Sequence, residues 1–201
     1  MKFIETPIAG LFVVEIEPIN DDRGFFARSF CARDFQAHGL NSTVVQCNIS
    51  FNEKAGTLRG LHFQATPHEE AKLVSCTRGA IYDVAVDIRA DSRTYLKWYA
   101  AEFTSENRRM MYIPQGFAHG FQTLVDKSEV LYLMSEFYHP ESSRGLRWDD
   151  PTLGITWPRS GGIISDKDRT YPLIDNGSSL DCNADPINRC ERAARVGPYQ
   201  K

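Results

Sequence analysis

The sequence predicts an all-β domain, a sandwich or closed barrel with a few short peripheral helices. Three observations carry this expectation. Short runs rich in β-branched and aromatic residues recur through the first 135 positions, turn-forming residues separate them, and no long helical period intervenes to build βαβ units.

In chain order, residues 11–16 alternate loosely. Residues 43–50 (TVVQCNIS), 72–76 (KLVSC) and 80–88 (AIYDVAVDI) are denser strand signals, and 98–103, 110–113, 121–124 and 130–134 continue the series. Asp21-Asp22-Arg23-Gly24, Arg78-Gly79, Pro114-Gln115-Gly116 and Asp126-Lys127 mark the turns between them. Short helices are expected over 32–38 and, in the tail, over 187–196. After Ile174 the chain turns polar and poor in apolar residues. The expected organisation is therefore a core domain over 1–175 and a C-terminal appendage over 176–201.

With 201 residues, 42% hydrophobic and 24% charged, the chain is long enough to bury a proper core and reads as soluble and globular. A net charge of −3 without a basic block argues against nucleic acid as a partner. No run of about 18 apolar residues offers a membrane span. The N-terminus carries one lysine and then a glutamate before its apolar stretch, which makes a poor signal peptide, so the cytoplasm is the expected location. The five cysteines, Cys31, Cys47, Cys76, Cys182 and Cys190, are odd in number and form no CxxC pair, so free thiols are expected rather than disulfides or a zinc knot.

Four segments place an ionisable side chain beside glycine or inside an apolar strand. In Gly56-Thr-Leu-Arg59-Gly60-Leu-His62-Phe-Gln64, Gly60 lets backbone approach closely between Arg59 and His62. A histidine in an apolar strand is more often a satisfied core residue than a catalyst. Arg59 shifts that balance, because a permanent cation is rarely buried without an anion. Lys72 opens a strand, where a lysine equally well protects a sheet edge. His119 stands between Gly116 and Gly120, and Tyr132 lies in an aromatic-rich run that ordinarily signals core packing.

A metal-binding barrel would want His-x-His, then Glu, then a later His. Here the first element is His62-Phe63-Gln64, and Glu69, Glu70 and His119 have the wrong spacing to replace it. No Gly-x-Ser-x-Gly elbow, phosphate loop or dinucleotide fingerprint is present. Acid–base chemistry without metal or cofactor is what remains.

Seven strings occur in a fixed order: Asp22-Arg-Gly-Phe-Phe26, Leu58-Arg-Gly-Leu-His-Phe-Gln64, Lys72-Leu-Val, Asp83-Val-Ala-Val-Asp-Ile-Arg89, Ile113-Pro-Gln-Gly-Phe-Ala-His-Gly-Phe121, Arg147-Trp-Asp-Asp-Pro151 and Ile155-Thr-Trp-Pro158. Together they resemble the dTDP-4-dehydrorhamnose 3,5-epimerase family over residues 3 to 174. The resemblance implies a cupin-type jelly-roll barrel and a homodimer. It also implies metal- and cofactor-independent epimerisation at C3 and C5 of a nucleotide-linked 4-keto-6-deoxy sugar, in rhamnose-type deoxysugar synthesis.

By the same resemblance His62 is the base, Asp168 its orienting partner, Tyr132 the acid on the opposite face and Lys72 the cation beside O4. Gln46, Asn48, Arg59, His119 and Lys167 match contacts to substrate or diphosphate, and Tyr138 an aromatic beside the nucleobase. Arg23 and Phe26 match residues given across the dimer. Three positions depart from the family pattern: Arg28 for an acid, Ile19 for an aromatic and Leu133 for a lysine. They bear on the substrate more than on the reaction, and CDP- or GDP-linked sugars and inversion at one carbon stay open, as does a non-catalytic sugar-nucleotide-binding barrel.

Overall fold

The computed structural model describes residues 1–174, so the expected appendage and its helix over 187–196 lie outside the described residues. Fourteen strands run in chain order: β1 Lys2–Glu5, β2 Phe12–Glu15, β3 Ile19–Asp21, β4 Gly24–Phe26, β5 Gln46–Asn52, β6 Thr57–Gln64, β7 Lys72–Arg78, β8 Ala80–Asp87, β9 Trp98–Thr104, β10 Met110–Ile113, β11 Phe117–Thr123, β12 Ser128–Met134, β13 Ser143–Gly145 and β14 Ile163–Ile164. Two helices are added, α1 Ala32–Ala37 and α2 Asp166–Thr170. No helix among the described residues is long and apolar enough to cross a membrane.

One sheet has the order β1-β2-β10-β7-β12-β5, the other β13-β6-β11-β8-β9, with β14 joining β6 in parallel. Sequence neighbours are thus repeatedly split between sheets, the jelly-roll arrangement. The two inner faces meet over Val13, Val74, Met111, Ile113 and Val130 from the first sheet and Ile81, Phe103, Phe117 and Phe121 from the second. Large side chains buried this fully are worth about 1.5–3 kcal/mol each. Phe35 of α1 covers the outer face of the first sheet with Val14, Leu73, Met110 and Tyr112. The chain after β13 brings Leu146, Leu153, Trp157 and Ile174 onto the outer face of the second.

Register decides what faces the cavity. Opposed residues of antiparallel strands share a face, so Gln46, Met134 and Lys72 form one row across β5, β12 and β7, and Asn48, Tyr132 and Val74 the next. One half of the barrel interior is consequently apolar and sealed, while the other is polar and open. β7 lies between β10 and β12, so the reading of Lys72 as an edge-strand guard is wrong.

Candidate active site

His62 comes to the cavity through an irregularity between β6 and β11, whose register shifts between His119 and Phe121. Gly60 sits there at φ +129, and a Cβ on it would lie 2.5 Å from the Gly120 Cα and 2.9 Å from the His119 carbonyl oxygen. Only glycine fits at that crossing. Beyond it, His62 and His119 are directly opposed across the strands.

Each of these histidines has a carboxylate. His62 Nε2 lies 2.7 Å from Asp168 Oδ1, and the other oxygen of Asp168 accepts from the Gly60 N–H at 3.3 Å. The Asp168 N–H in turn donates to Ser165 Oγ, the side chain that caps α2. Burial pushes the Asp168 carboxyl up, but its hydrogen bond with His62 and the N–H of Gly60 hold it below the ordinary carboxylate value. Asp168 is therefore ionised at neutral pH and suited to fix the imidazole tautomer. With Nε2–H given to Asp168, the Nδ1 lone pair is the basic site of His62. The second pair, His119 Nε2 with Asp83 Oδ1, is also 2.7 Å long but wholly buried. The remaining oxygen of Asp83 has no hydrogen-bond partner among the described residues.

Two adjoining spaces form the cleft. The larger, about 540 Å3, is lined by Gln46, Asn48, Arg59, His62, Lys72 and Asp168, and at its rim by Tyr138 and Lys167. The smaller, about 300 Å3, shares Asn48, Arg59, His62 and Lys72 and adds His119 and Tyr132. Of the twelve residues singled out in the sequence, ten thus meet in one cleft. Arg23 and Phe26 do not. They sit on the β3–β4 hairpin, where Arg23 pairs with Asp21 at 2.6 Å and Phe26 is 74% exposed.

Tyr132 packs its ring 6.0 Å from that of His119 and 6.5 Å from Phe121. Burial, and then the negative charge of Asp83, raise its phenol well above the usual value, so it keeps its proton at all ordinary pH. Lys72 is buried, 2.9 Å from Glu70 Oε1, and donates to the His62 carbonyl at 3.1 Å. Its ammonium is thus fixed in place beside His62. Arg59 is exposed to the cleft rather than buried as its sequence setting suggested, with Nε 2.7 Å from Asn52 Oδ1. The long guanidinium satisfies one donor on Asn52 and leaves the others toward the open cavity.

Glu70 and Asp83 escaped the sequence reading as site residues. Asp83 was visible as a carboxylate in an apolar run that burial would force to find a partner, whereas Glu70 lies in the polar stretch His68-Glu69-Glu70 and gives no such signal. Tyr138 is not on the Tyr132 strand, since β12 ends at Met134. Of the three departures, Leu133 faces outward into the cluster under α1, Ile19 lies on the exposed hairpin, and Arg28 sits 4.0 Å from Asp34. None of the three lines the cleft.

The family model described as dTDP-4-dehydrorhamnose 3,5-epimerase matches residues 5–176. The chain belongs to that family. It is 46% identical over 179 residues to the dTDP-4-dehydrorhamnose 3,5-epimerase of Methanothermobacter thermautotrophicus, covering 87% of this chain and 96% of that one. The crystal structure of the Bacillus anthracis dTDP-4-dehydrorhamnose 3,5-epimerase with TDP and PPi bound superposes with a TM-score of 0.84 at 42% identity, over 86% of this chain and 99% of that one. The Legionella pneumophila epimerase in complex with dTDP-4-keto-L-rhamnose gives a TM-score of 0.81 at 39% identity, over 86% and 92%. The protein is accordingly a cupin-fold carbohydrate epimerase, an enzyme of the isomerase class.

Proposed function

We propose that this epimerase converts dTDP-4-dehydro-6-deoxy-D-glucose to dTDP-4-dehydro-L-rhamnose by inverting C3 and C5. The observation that carries the reading is the His62–Asp168 pair at 2.7 Å, opening onto the same cavity as a firmly protonated Tyr132. Both carbons flank the C4 ketone, so a proton removed from either leaves an enolate. Inversion needs the proton taken on one face and returned on the other.

His62 takes the proton, since an imidazole titrates near neutrality, and Asp168 stabilises the imidazolium that forms. Tyr132 returns a proton from the opposite face. Charge growing on O4 is met by Lys72, whose cation is already desolvated and held by Glu70, and a fixed donor of this kind is worth about 3–4 kcal/mol. His119, fixed by Asp83, borders the sugar end of the cleft. Arg59 and Lys167 take the diphosphate, with Gln46 and Asn48 orienting the substrate, and Tyr138 stacks on the base.

Arg23 and Phe26 complete the site of a second copy in a homodimer. Supporting this, the β3–β4 hairpin pairs with no other strand among the described residues and carries Ile19, Phe25 and Phe26 in the open, while Ile49 and Phe51 are exposed on edge strand β5. The cytoplasm suits a chain whose Cys31, Cys47 and Cys76 are free thiols.

The test is NMR of dTDP-4-keto-6-deoxyglucose incubated with the enzyme in D2O, with and without chelator. Deuterium should enter at both C3 and C5 regardless of chelator. Entry at one carbon would make it a mono-epimerase, loss under chelator would bring in a metal, and no exchange with any 4-keto nucleotide sugar would leave a binding protein.

A further inference from the structure

Outside the acid–base machinery, His68, Glu136 and His139 bring one potential ligand atom each to within 4.8 Å of one another. We infer that these three side chains form a binding site for a borderline divalent cation of the Zn2+ class at the rim of the cleft. The assignment does not rest on the epimerase reading.

Four features support it. The set is two imidazoles and one carboxylate, a donor mixture that suits Zn2+ and its neighbours and leaves a fourth position for water; Mg2+ and Ca2+ prefer all-oxygen shells. The backbones that carry the two histidines are tied together by one buried amide. Gln64 Nε2 donates to the carbonyls of His68 and Phe137 at 2.9 and 3.0 Å, and its Oε1 accepts the His139 N–H at 2.6 Å. His139 Nδ1 lies 3.1 Å from Glu141 Oε1. That contact fixes the proton on Nδ1 and frees the Nε2 lone pair on the side of Glu136, 3.9 Å away, the carboxylate–histidine–metal relay of many metal sites. Finally, the His68 and His139 rings stack 3.5 Å apart at 6°, and the pair is only partly exposed. Coordination opens that stack, turning the rings until both lone pairs converge on the cation.

Glu136 also lines the main cleft, and Tyr138 lies between Glu136 and His139 in sequence. An ion held here would therefore stiffen the segment that carries Tyr138 and join it to the loop between β6 and β7.

The test uses chelator-treated full-length protein titrated with Zn2+ by calorimetry and with Co2+ by absorption spectroscopy. One equivalent of Zn2+ per chain is expected, and a Co2+ d–d spectrum free of thiolate charge transfer, which separates this site from the cysteines. His68→Gln and His139→Gln should each abolish stoichiometric binding, Glu141→Gln should weaken it about tenfold, and His62→Asn should leave it unchanged. Thermal unfolding in chelator should be alike for wild type and variants, with Zn2+ raising the midpoint of wild type and His62→Asn, raising that of Glu141→Gln less, and leaving those of His68→Gln and His139→Gln unmoved. If a glutamine variant does not fold, Glu136→Gln serves in its place. Affinity for Zn2+ that is absent in wild type, carried by thiolates, or indifferent to all of these substitutions would overturn the site.

Discussion

Two imidazole–carboxylate pairs stand side by side in this barrel, on cross-strand partner residues, with the same 2.7 Å contact. They differ in exposure. The His62 side chain is 41% open to the cleft over a carboxylate that is 5% exposed, whereas His119 and Asp83 are at 5% and 0%. A base must reach its substrate, so only the first pair is placed to move a proton. The second holds its shape and lends negative charge to the phenol of Tyr132. The hydrogen bond makes the pair in each case, and solvent access is what suits His62 to the proposed role of base.

The sharpest way to break this division is His62→Ala, expected to lower exchange at both C3 and C5 by about 10⁴-fold, the upper range for a general base. Stability measured by urea unfolding should fall less than for the buried pair, since removing the ring opens the Asp168 carboxylate to the cleft and the Gly60 N–H still binds it. Asp168→Asn keeps the shape of the site while removing the charge and the preferred tautomer. Its exchange rate should fall by about 10³-fold.

The buried pair should answer in the opposite currency. His119→Ala strands the Asp83 carboxylate without a partner and should cost about 3 kcal/mol in urea unfolding, because breaking a buried pair from one side is expensive. If His62→Ala destabilises as much as His119→Ala, exposure is not what separates the two.

A third buried carboxylate, Asp87, sharpens the contrast further, being paired with a permanent cation. Burial raises it, but Arg89, Ser92 and Thr94 outweigh that and bring it down to about 2 from 3.8. A depressed carboxyl stabilises the fold above its unfolded value, and the contribution is lost as pH falls through the folded one. Wild type should therefore exceed Asp87→Asn by about 2 kcal/mol above pH 4, with the gap closing toward pH 2 in acid unfolding curves.

Much of this was legible in the sequence. Short runs rich in β-branched and aromatic residues, set between turn-forming residues, found β7, β8, β9, β10 and β12 to within a few residues, because such side chains fit a pleated, buried surface. Helix α1 was found as well. β1, β3, β4, β13 and β14 were not, each being four residues or fewer, and α2 is barely more than one turn. The strand at β11 was placed late, since Gly116 and Gly120 interrupt its β-rich texture, although all seven of its residues are buried. Of the site, the residue types were readable and their roles came from ordered motifs. What the chain could not reveal was pairing across long separations. His62 and Asp168 are 106 positions apart, and His68 meets His139 only because Gln64 gathers both.

The central claim is that His62 takes the proton and Tyr132 returns one from the other face. Tyr132→Phe, followed by NMR with dTDP-4-keto-6-deoxyglucose in D2O, tests it most directly. Abstraction of the C3 or C5 proton should continue while formation of the inverted sugar collapses. Full epimerase activity in Tyr132→Phe would contradict the account.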